Sequence, residues 1–203
     1  MLLYTNGEPW HHWSQGQRRD IPANLAAANN WYVIDHSTEH SSNARIVRHA
    51  LQFIAKYHGN LDFCMLISWA RPLRREVHCI DALSSDELEG RWKQIALDHN
   101  ELANMPYGDE WFASFTRYGW DAVESHVRYF DAVLLLSALL RELGIPYLFS
   151  NVGHDPLAWL ASADSYGRDQ TAHVAAAIDW RDFVAWDIAD EDLLRKMQQR
   201  MGS

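Results

Sequence analysis

The feature that most constrains the fold is a nearly unbroken apolar run, F-C-M-L-I-S-W, from Phe63 to Trp69. Apolar residues that follow one another without alternation are typical of a strand buried on both faces, as in a parallel sheet covered by helices. A buried helical segment is the alternative. The run is short for a helix, however, and helical patterns lie on either side of it. We therefore predict that Phe63–Trp69 is a central strand.

Strand and helix patterns alternate around this run. Short apolar segments predict strands at Met1–Thr5, Trp31–Ile34 and Ile145–Ser150. Apolar residues at helical spacing predict helices at Asn43–Tyr57 and Asp121–Leu143. Because crossover connections between parallel strands are right-handed, this order predicts a three-layer α/β/α fold with a mainly parallel sheet.

The remaining segments fit a single domain that spans 1–203. Pro22–Asn29 reads as a helix with proline in its first turn. The capping-box pattern S-x-x-E predicts a further helix over Ser84–Ala103. An aromatic-rich insertion follows near 106–120, and we predict helices in the C-terminal segment 157–203.

Composition narrows the range of partners. The formal charge is −9 and no long basic run is present, so a nucleic-acid partner is not expected. No stretch of 18 apolar residues predicts a membrane span, and the first residues do not resemble a secretory signal. Cys64 and Cys79 form no C-x-x-C pair, which favours free thiols in a reducing compartment.

Polar loops follow several of the predicted strands. Because parallel strands end at the same side of a sheet, these loops are expected to share one rim, where α/β proteins bind ligands. The loops are Asn6–Ser14, Asp35–Asn43, Ala70–Glu76 and Asn151–Asp155. The residues that we predict to line a ligand-binding rim are Asn6, Gly7, Asn43, Trp69, Arg71, Arg74, Arg75 and Glu76.

The arginine cluster directly after the central strand allows two interpretations. Arg71, Arg74 and Arg75 can clamp a carboxylate or a phosphate, because guanidinium groups fit such anions in a bidentate manner. The alternative is an ion-pair network in which Glu76 holds one arginine and fixes the loop. The sequence does not decide between these two interpretations.

No residue is a firm catalytic candidate. Glu8, His154 and Asp155 place acids and a base at two strand ends, and such groups can perform acid–base chemistry. The spacing H-x-x-x-H from His36 to His40 suits a metal only on a helix, and this segment reads as a loop. Adjacent His11 and His12 point apart. We therefore predict neither a metal nor a cofactor.

Four segments resemble the SGNH (GDSL-like) hydrolase superfamily, and most closely its divergent branch in tailed bacteriophages. They are L-L-Y-T-N-G-E-P-W, H-S-S-N-A-R-I-V-R, L-I-S-W-A-R-P-L-R-R-E and, more weakly, G-I-P-Y-L-F-S-N. The first three cover about residues 1–80. The resemblance implies a flavodoxin-like α/β/α fold with strand order 2-1-3-4, to which a fifth strand can be added.

The chain departs from that family at the catalytic positions. The family's nucleophilic serine aligns with Pro9, which has no nucleophilic atom, and the acid before it aligns with Glu8. The family's C-terminal D-x-x-H motif is absent, because Asp169 and His173 are one residue too far apart. The Trp69–Arg71 segment replaces an oxyanion-binding asparagine. Loss of even one triad member typically costs orders of magnitude in rate.

Three hypotheses follow. The favoured one is a phage protein that has kept the SGNH-like fold without the chemistry. It would bind a phage or host protein in the host cytoplasm or the virion, and its rim leaves room for a small anionic or ester ligand. A second is an esterase with a relocated site, and a third is an acid–base or metal-dependent enzyme that uses Glu8, His154 and Asp155. The candidates for the relocated site are Ser14, Ser37 and Ser42 with His11, His36, His40 or His154.

Overall fold

A computed structural model of the chain describes residues 1–9, 11–14, 17–39, 41–72, 74–78, 92–96, 121–185 and 188–201. The strands in these ranges are β1 Leu2–Gly7, β2 His11–Ser14, β3 Gln17–Asp20, β4 Tyr32–Ser37, β5 Phe63–Trp69, β6 Arg74–His78, β7 Trp92–Ala96, β8 Tyr147–Asn151 and β9 Phe183–Val184. The helices are α1 Ile21–Asn29, α2 Asn43–Tyr57, α3 Ala122–Glu142, α4 Pro156–Ser162, α5 Ser165–Ala177 and α6 Asp190–Met201. A 3₁₀ turn, Trp180–Asp182, precedes β9.

The main sheet confirms the predicted topology. Its strands lie in the spatial order β4-β1-β5-β8-β9, and all four neighbouring pairs are parallel. The first four follow the predicted order 2-1-3-4, and the short strand β9 adds a fifth. Strand β5 lies at the centre and every one of its residues is buried, which explains its continuous apolar sequence.

Helices cover both faces of this sheet, as predicted for a three-layer fold. On one face α2, α3 and α5 pack against alternate strand residues, among them Tyr4, Met65 and Phe149. On the other face α1 and α6 pack against Leu66 and Leu148, together with their neighbours. Alternate side chains of β5 enter the two cores, because successive residues of a strand point to opposite faces.

Side-chain caps fix where the covering helices begin. The hydroxyl of Ser42 accepts a hydrogen bond from the backbone N–H of Arg45 (3.1 Å) and starts α2. The carboxylate of Asp121 accepts from the N–H of Val123 (2.7 Å) and starts α3. Such caps satisfy backbone donors that have no partner within the helix.

Among the described residues, two antiparallel strand pairs lie outside the main sheet. Strands β2 and β3 pair antiparallel, as do β6 and β7. The helix predicted over Ser84–Ala103 is wrong for Trp92–Ala96, which form β7. Pairing with β6, a strand distant in sequence, overrides the local helical preference of this segment. The capping box itself and the insertion at 106–120 lie outside the described residues. Among the helices that are described, none is long and apolar enough to cross a membrane.

Candidate functional site

The predicted rim is formed by the carboxyl ends of four neighbouring strands. The register of the sheet places Gly7 beside Ser37 and Ser68, and places Trp69 beside Asn151. The ends of β4, β1, β5 and β8 therefore lie along one edge. This is the edge at which parallel α/β sheets bind ligands.

Gly7 allows the carboxyl end of β1 to lie in very close contact with β5. Its φ angle is +109°, a conformation that L-residues rarely adopt, and a Cβ atom there would lie 1.8 Å from the carbonyl oxygen of Ser68. The next amide, that of Glu8, donates to the same carbonyl oxygen (3.1 Å). The hydroxyl of Ser68 is shared between the carbonyl oxygens of Asn6 (3.3 Å) and Glu8. This turn is thus held by hydrogen bonds within the fold.

Two rim asparagines also bind the backbone. The side-chain amide of Asn6 donates to the carbonyl oxygen of Ile46 in α2 (2.8 Å) and accepts from the N–H of Gly7 (2.8 Å). Asn43, the first residue of α2, donates to the carbonyl oxygen of Ala70 (3.1 Å) and accepts from its N–H (2.9 Å). Both asparagines therefore join α2 to the strand ends, with their polar atoms directed at protein rather than at a ligand.

Glu8 and Arg74 form an ion pair at the rim. The carboxylate Oε1 of Glu8 lies against Nη1 of Arg74, and their side chains are 10% and 18% exposed. Of the two interpretations of the arginine cluster, this contact resembles the ion-pair network, but its acid is Glu8. The side chains of Arg75 and Glu76 lie outside the described part of the structure. Pro9 directly follows Glu8.

Trp69 and Arg71 differ in their exposure to solvent. Trp69 is fully buried, with its ring edge-on to Tyr129 (6.1 Å between centroids) and to Phe149 (5.4 Å). Trp69 is therefore part of the core rather than of an open surface. Arg71 is exposed, and its guanidinium lies so close to Gly153 that a Cβ atom there would come within 3.1 Å of Nη2.

His154 and Asp155 follow β8. The Nδ1 atom of His154 lies 3.2 Å from the carbonyl oxygen of Val152, and its buried Nε2 has no hydrogen-bond partner in the described residues. Asp155 caps α4 by accepting from the N–H groups of Leu157 (3.0 Å) and Ala158 (3.1 Å). No hydrogen bond joins His154 to Glu8 among the residues that the structure describes.

Tyr129 is a rim residue that the sequence did not single out. It comes from α3, and its hydroxyl donates to Oδ1 of Asn151 (2.6 Å) at the end of β8. Its ring also lies edge-on to His154, 5.3 Å between centroids. A helix residue that reaches the strand ends leaves no local motif. Only its place within the apolar face of α3 could have marked it.

The described serines and histidines of the relocated-site hypothesis are not joined to one another. The hydroxyl of Ser37 is buried and has no hydrogen-bond partner among the described residues, and that of Ser42 caps α2. Nδ1 of His36 lies 3.4 Å from the hydroxyl of Tyr4. The side chains of Ser14, His11 and His40 fall outside the described residues. Among the described side chains, no three His, Cys, Asp or Glu residues cluster as a metal ion requires.

Burial disfavours the charged form of the His154 imidazole. Removal from water lowers the pKa of His154 from 6.5 to about 4. The unfolded chain takes up this proton near pH 6.5, whereas the folded chain does so only near pH 4. Between these values the unfolded state binds more protons, so stability decreases as the pH falls.

We expect the free energy of unfolding of the wild type to fall by roughly 2–3 kcal/mol between pH 7 and pH 4, because protonation of His154 favours the unfolded state. A His154→Gln variant lacks the buried imidazole and should lose less stability over the same range. Urea denaturation of both proteins at several pH values measures the difference. An identical pH dependence in the two proteins would show that His154 is protonated equally in the folded and unfolded states.

No protein-family model matches the chain, and no curated protein sequence is significantly similar to it.

Proposed function

We propose that this protein is an SGNH-like, phage-encoded binding or structural protein that has lost ester hydrolysis and acts by contacting a phage or host protein. The observation that carries the proposal is the pairing of Glu8 with Arg74 directly before Pro9. The acid nearest the family's nucleophile position is neutralised by an arginine, and the following residue has no attacking atom. Such a turn supports no acyl-enzyme chemistry.

Three further polar side chains of the rim support the same proposal. The side chains of Asn6, Asn43 and Ser68 all bind backbone groups of the fold. An oxyanion hole needs donors that point at the reacting atom, and an activated serine needs a base within hydrogen-bond reach. The described rim offers the exposed Arg71 to a ligand, so a small anion is the ligand class that it suits best.

An esterase assay tests this proposal against the alternative of a relocated serine–histidine site. Purified wild type should hydrolyse activated short-chain esters no faster than the Ser37→Ala and His154→Ala variants, and a fluorophosphonate probe should label no serine. Circular dichroism establishes that each variant is folded. Saturable turnover that disappears in one variant would favour a hydrolase over a binding protein. A serine adduct in the wild type would do the same.

A further inference from the structure

Arg71 lies just beyond the end of β5 without an acidic partner. Its neighbour along the rim, Arg74, pairs with Glu8, whereas no carboxylate of the described residues forms an ion pair with the exposed guanidinium of Arg71. The chain as a whole is acidic, with a formal charge of −9. An arginine that stays unpaired in such a chain, at the edge where parallel sheets bind ligands, is available to an anion from solution.

The loop after β8 provides a defined position for the guanidinium of Arg71. A Cβ atom on Gly153 would lie 3.1 Å from Nη2 and 3.3 Å from Nε of Arg71, so the guanidinium lies where a side chain would otherwise be. Gly153 also has a φ angle of +65°, which glycine adopts without strain. The positive charge of Arg71 is therefore held against the residue that directly precedes His154.

His154 is the neighbouring group whose charge can change. Its Nδ1 atom lies 3.2 Å from the carbonyl oxygen of Val152. Because a carbonyl oxygen only accepts, Nδ1 carries the proton of the neutral ring and Nε2 holds the lone pair. Nε2 is buried and has no hydrogen-bond partner among the described residues. The ring of Tyr129 packs edge-on against the imidazole, 5.3 Å between centroids. Nε2 is thus the atom that takes up a proton.

The charges around His154 link its protonation to the state of Arg71. Burial contributes most to the lowered pKa of His154, and the hydrogen bond to Val152 opposes this effect. The positive charges of His126 on α3 and of Arg71 lower the pKa further, whereas the carboxylate of Asp155 raises it. An anion on Arg71 offsets the repulsion from the guanidinium and adds an attraction of its own. It therefore favours the imidazolium form.

We propose that Arg71 and His154 form a binding site for a doubly charged tetrahedral oxyanion, in which binding of the anion to Arg71 is coupled to the uptake of one proton from water by Nε2 of His154. A guanidinium binds two oxygens of such an anion in a bidentate manner. The second positive charge that the site gains on protonation favours a dianion over a monoanion. Because the coupling is reciprocal, the anion binds more tightly as the pH falls.

The inference rests on the proposed function, because it takes the rim as a binding surface, and it deepens that function by naming the ligand chemistry. Sulfate is the probe, since it keeps both charges between pH 5 and pH 7, whereas a phosphate group titrates near about pH 6. NMR titration measures its dissociation constant at both pH values. The wild type should bind sulfate at least about 3-fold more tightly at pH 5, and saturating sulfate should raise the pKa of His154.

Two further anions define the ligand. Methanesulfonate presents oxygens in a similar arrangement but carries a single charge, so it should bind more weakly than sulfate at pH 5. Methyl phosphate, measured beside sulfate at pH 7, distinguishes a phosphate ester from a sulfate as the ligand.

Three variants assign the binding to this site. Arg71→Gln should weaken sulfate binding at pH 5 at least about 10-fold. Arg195→Gln is the matched control and should stay within about 2-fold of wild type, because Arg195 is 70% exposed on α6, which covers the face of the sheet opposite to Tyr129. In His154→Gln, the dissociation constants at pH 5 and pH 7 should agree within about 2-fold. Circular dichroism at each pH establishes that every variant is folded.

Several results would overturn the inference. They are a wild type that does not bind sulfate, an Arg71→Gln variant that binds it as tightly as wild type, and a His154→Gln variant that keeps the wild-type pH dependence. A pKa of His154 that sulfate leaves unchanged, or methanesulfonate binding as tight as that of sulfate, would also overturn it. With no esterase turnover, any of these results would remove the anion site and leave the proposed function standing. Esterase turnover would remove the proposed function without altering the sulfate measurements.

Discussion

Replacing Gly7 with alanine is expected to lower the free energy of unfolding by at least about 3 kcal/mol. The residue has a φ angle of +109°, and an alanine Cβ would lie 1.8 Å from the carbonyl oxygen of Ser68. No rotamer change can relieve this overlap, because the position of a Cβ atom is fixed by its own backbone and the carbonyl oxygen belongs to the backbone of β5. Strands β1 and β5 would have to separate at their ends. That movement would break the hydrogen bond from the Glu8 amide to Ser68.

Gly59→Ala is the matched control for Gly7→Ala. Gly59 also has a positive φ angle, +82°, but a Cβ atom there meets nothing within 4 Å. Its substitution should therefore cost only the conformational penalty, about 1 kcal/mol. Urea denaturation followed by circular dichroism measures both variants. Equal losses in the two variants would show that β1 and β5 do not approach as closely at Gly7 as the structure indicates.

The sheet could be predicted from the sequence because burial leaves a local pattern. The apolar run Phe63–Trp69 indicated a strand covered on both faces, and it lies at the centre of the sheet with all its residues buried. The spacing in Asn43–Tyr57 indicated a covering helix, and α2 has these same bounds. With the central strand and its crossover helix in place, the right-handed crossover rule left few topologies to consider.

The two antiparallel strand pairs could not be predicted because each strand is stabilised by its partner strand rather than by a pattern of its own. Trp92–Ala96 follows a helix-opening motif and becomes a strand by pairing with Arg74–His78. His11–Ser14 looked like a polar loop and pairs with Gln17–Asp20. Strand formation depends on the partner strand more than on the intrinsic preference of the residues.

The position of the rim at the strand ends could be predicted from the sequence, but the contacts of its side chains could not. The convergence of the loops follows from parallel strands alone, so Asn6, Gly7 and Asn43 were identified as rim residues. What their side chains bind depends on distances of a few tenths of an ångström, which no spacing in the sequence encodes. The sequence therefore did not indicate that Trp69 is buried against Tyr129. It also did not indicate that Arg74 is the partner of Glu8.

Replacing Glu8 with glutamine is expected to lower the free energy of unfolding by about 2–4 kcal/mol. Glutamine keeps the size of the side chain but removes the negative charge that lies against the mostly buried guanidinium of Arg74. A buried charge that loses its partner retains the cost of its removal from water. If the strand-end polar groups serve to hold the fold together, this substitution must be costly.

A double-mutant cycle separates the ion pair from other effects of the substitution. Glu8→Gln with Arg74→Gln should lose less stability than the sum of the two single variants, because neither change then leaves a buried charge unpaired. Glu124→Gln is the control for an exposed pair. It breaks the contact with Arg128, whose side chain is 67% exposed, and should cost no more than about 0.5 kcal/mol.

The difference in unfolding free energy between wild type and Glu8→Gln, measured by urea denaturation at pH 7, tests most directly whether the rim is structural. We predict a decrease of about 2–4 kcal/mol, largely recovered in the double variant. A Glu8→Gln protein as stable as the wild type, or more stable, would contradict a structural role. Active-site groups are commonly retained at a cost in stability, so that outcome would return Glu8 to the candidates for catalysis.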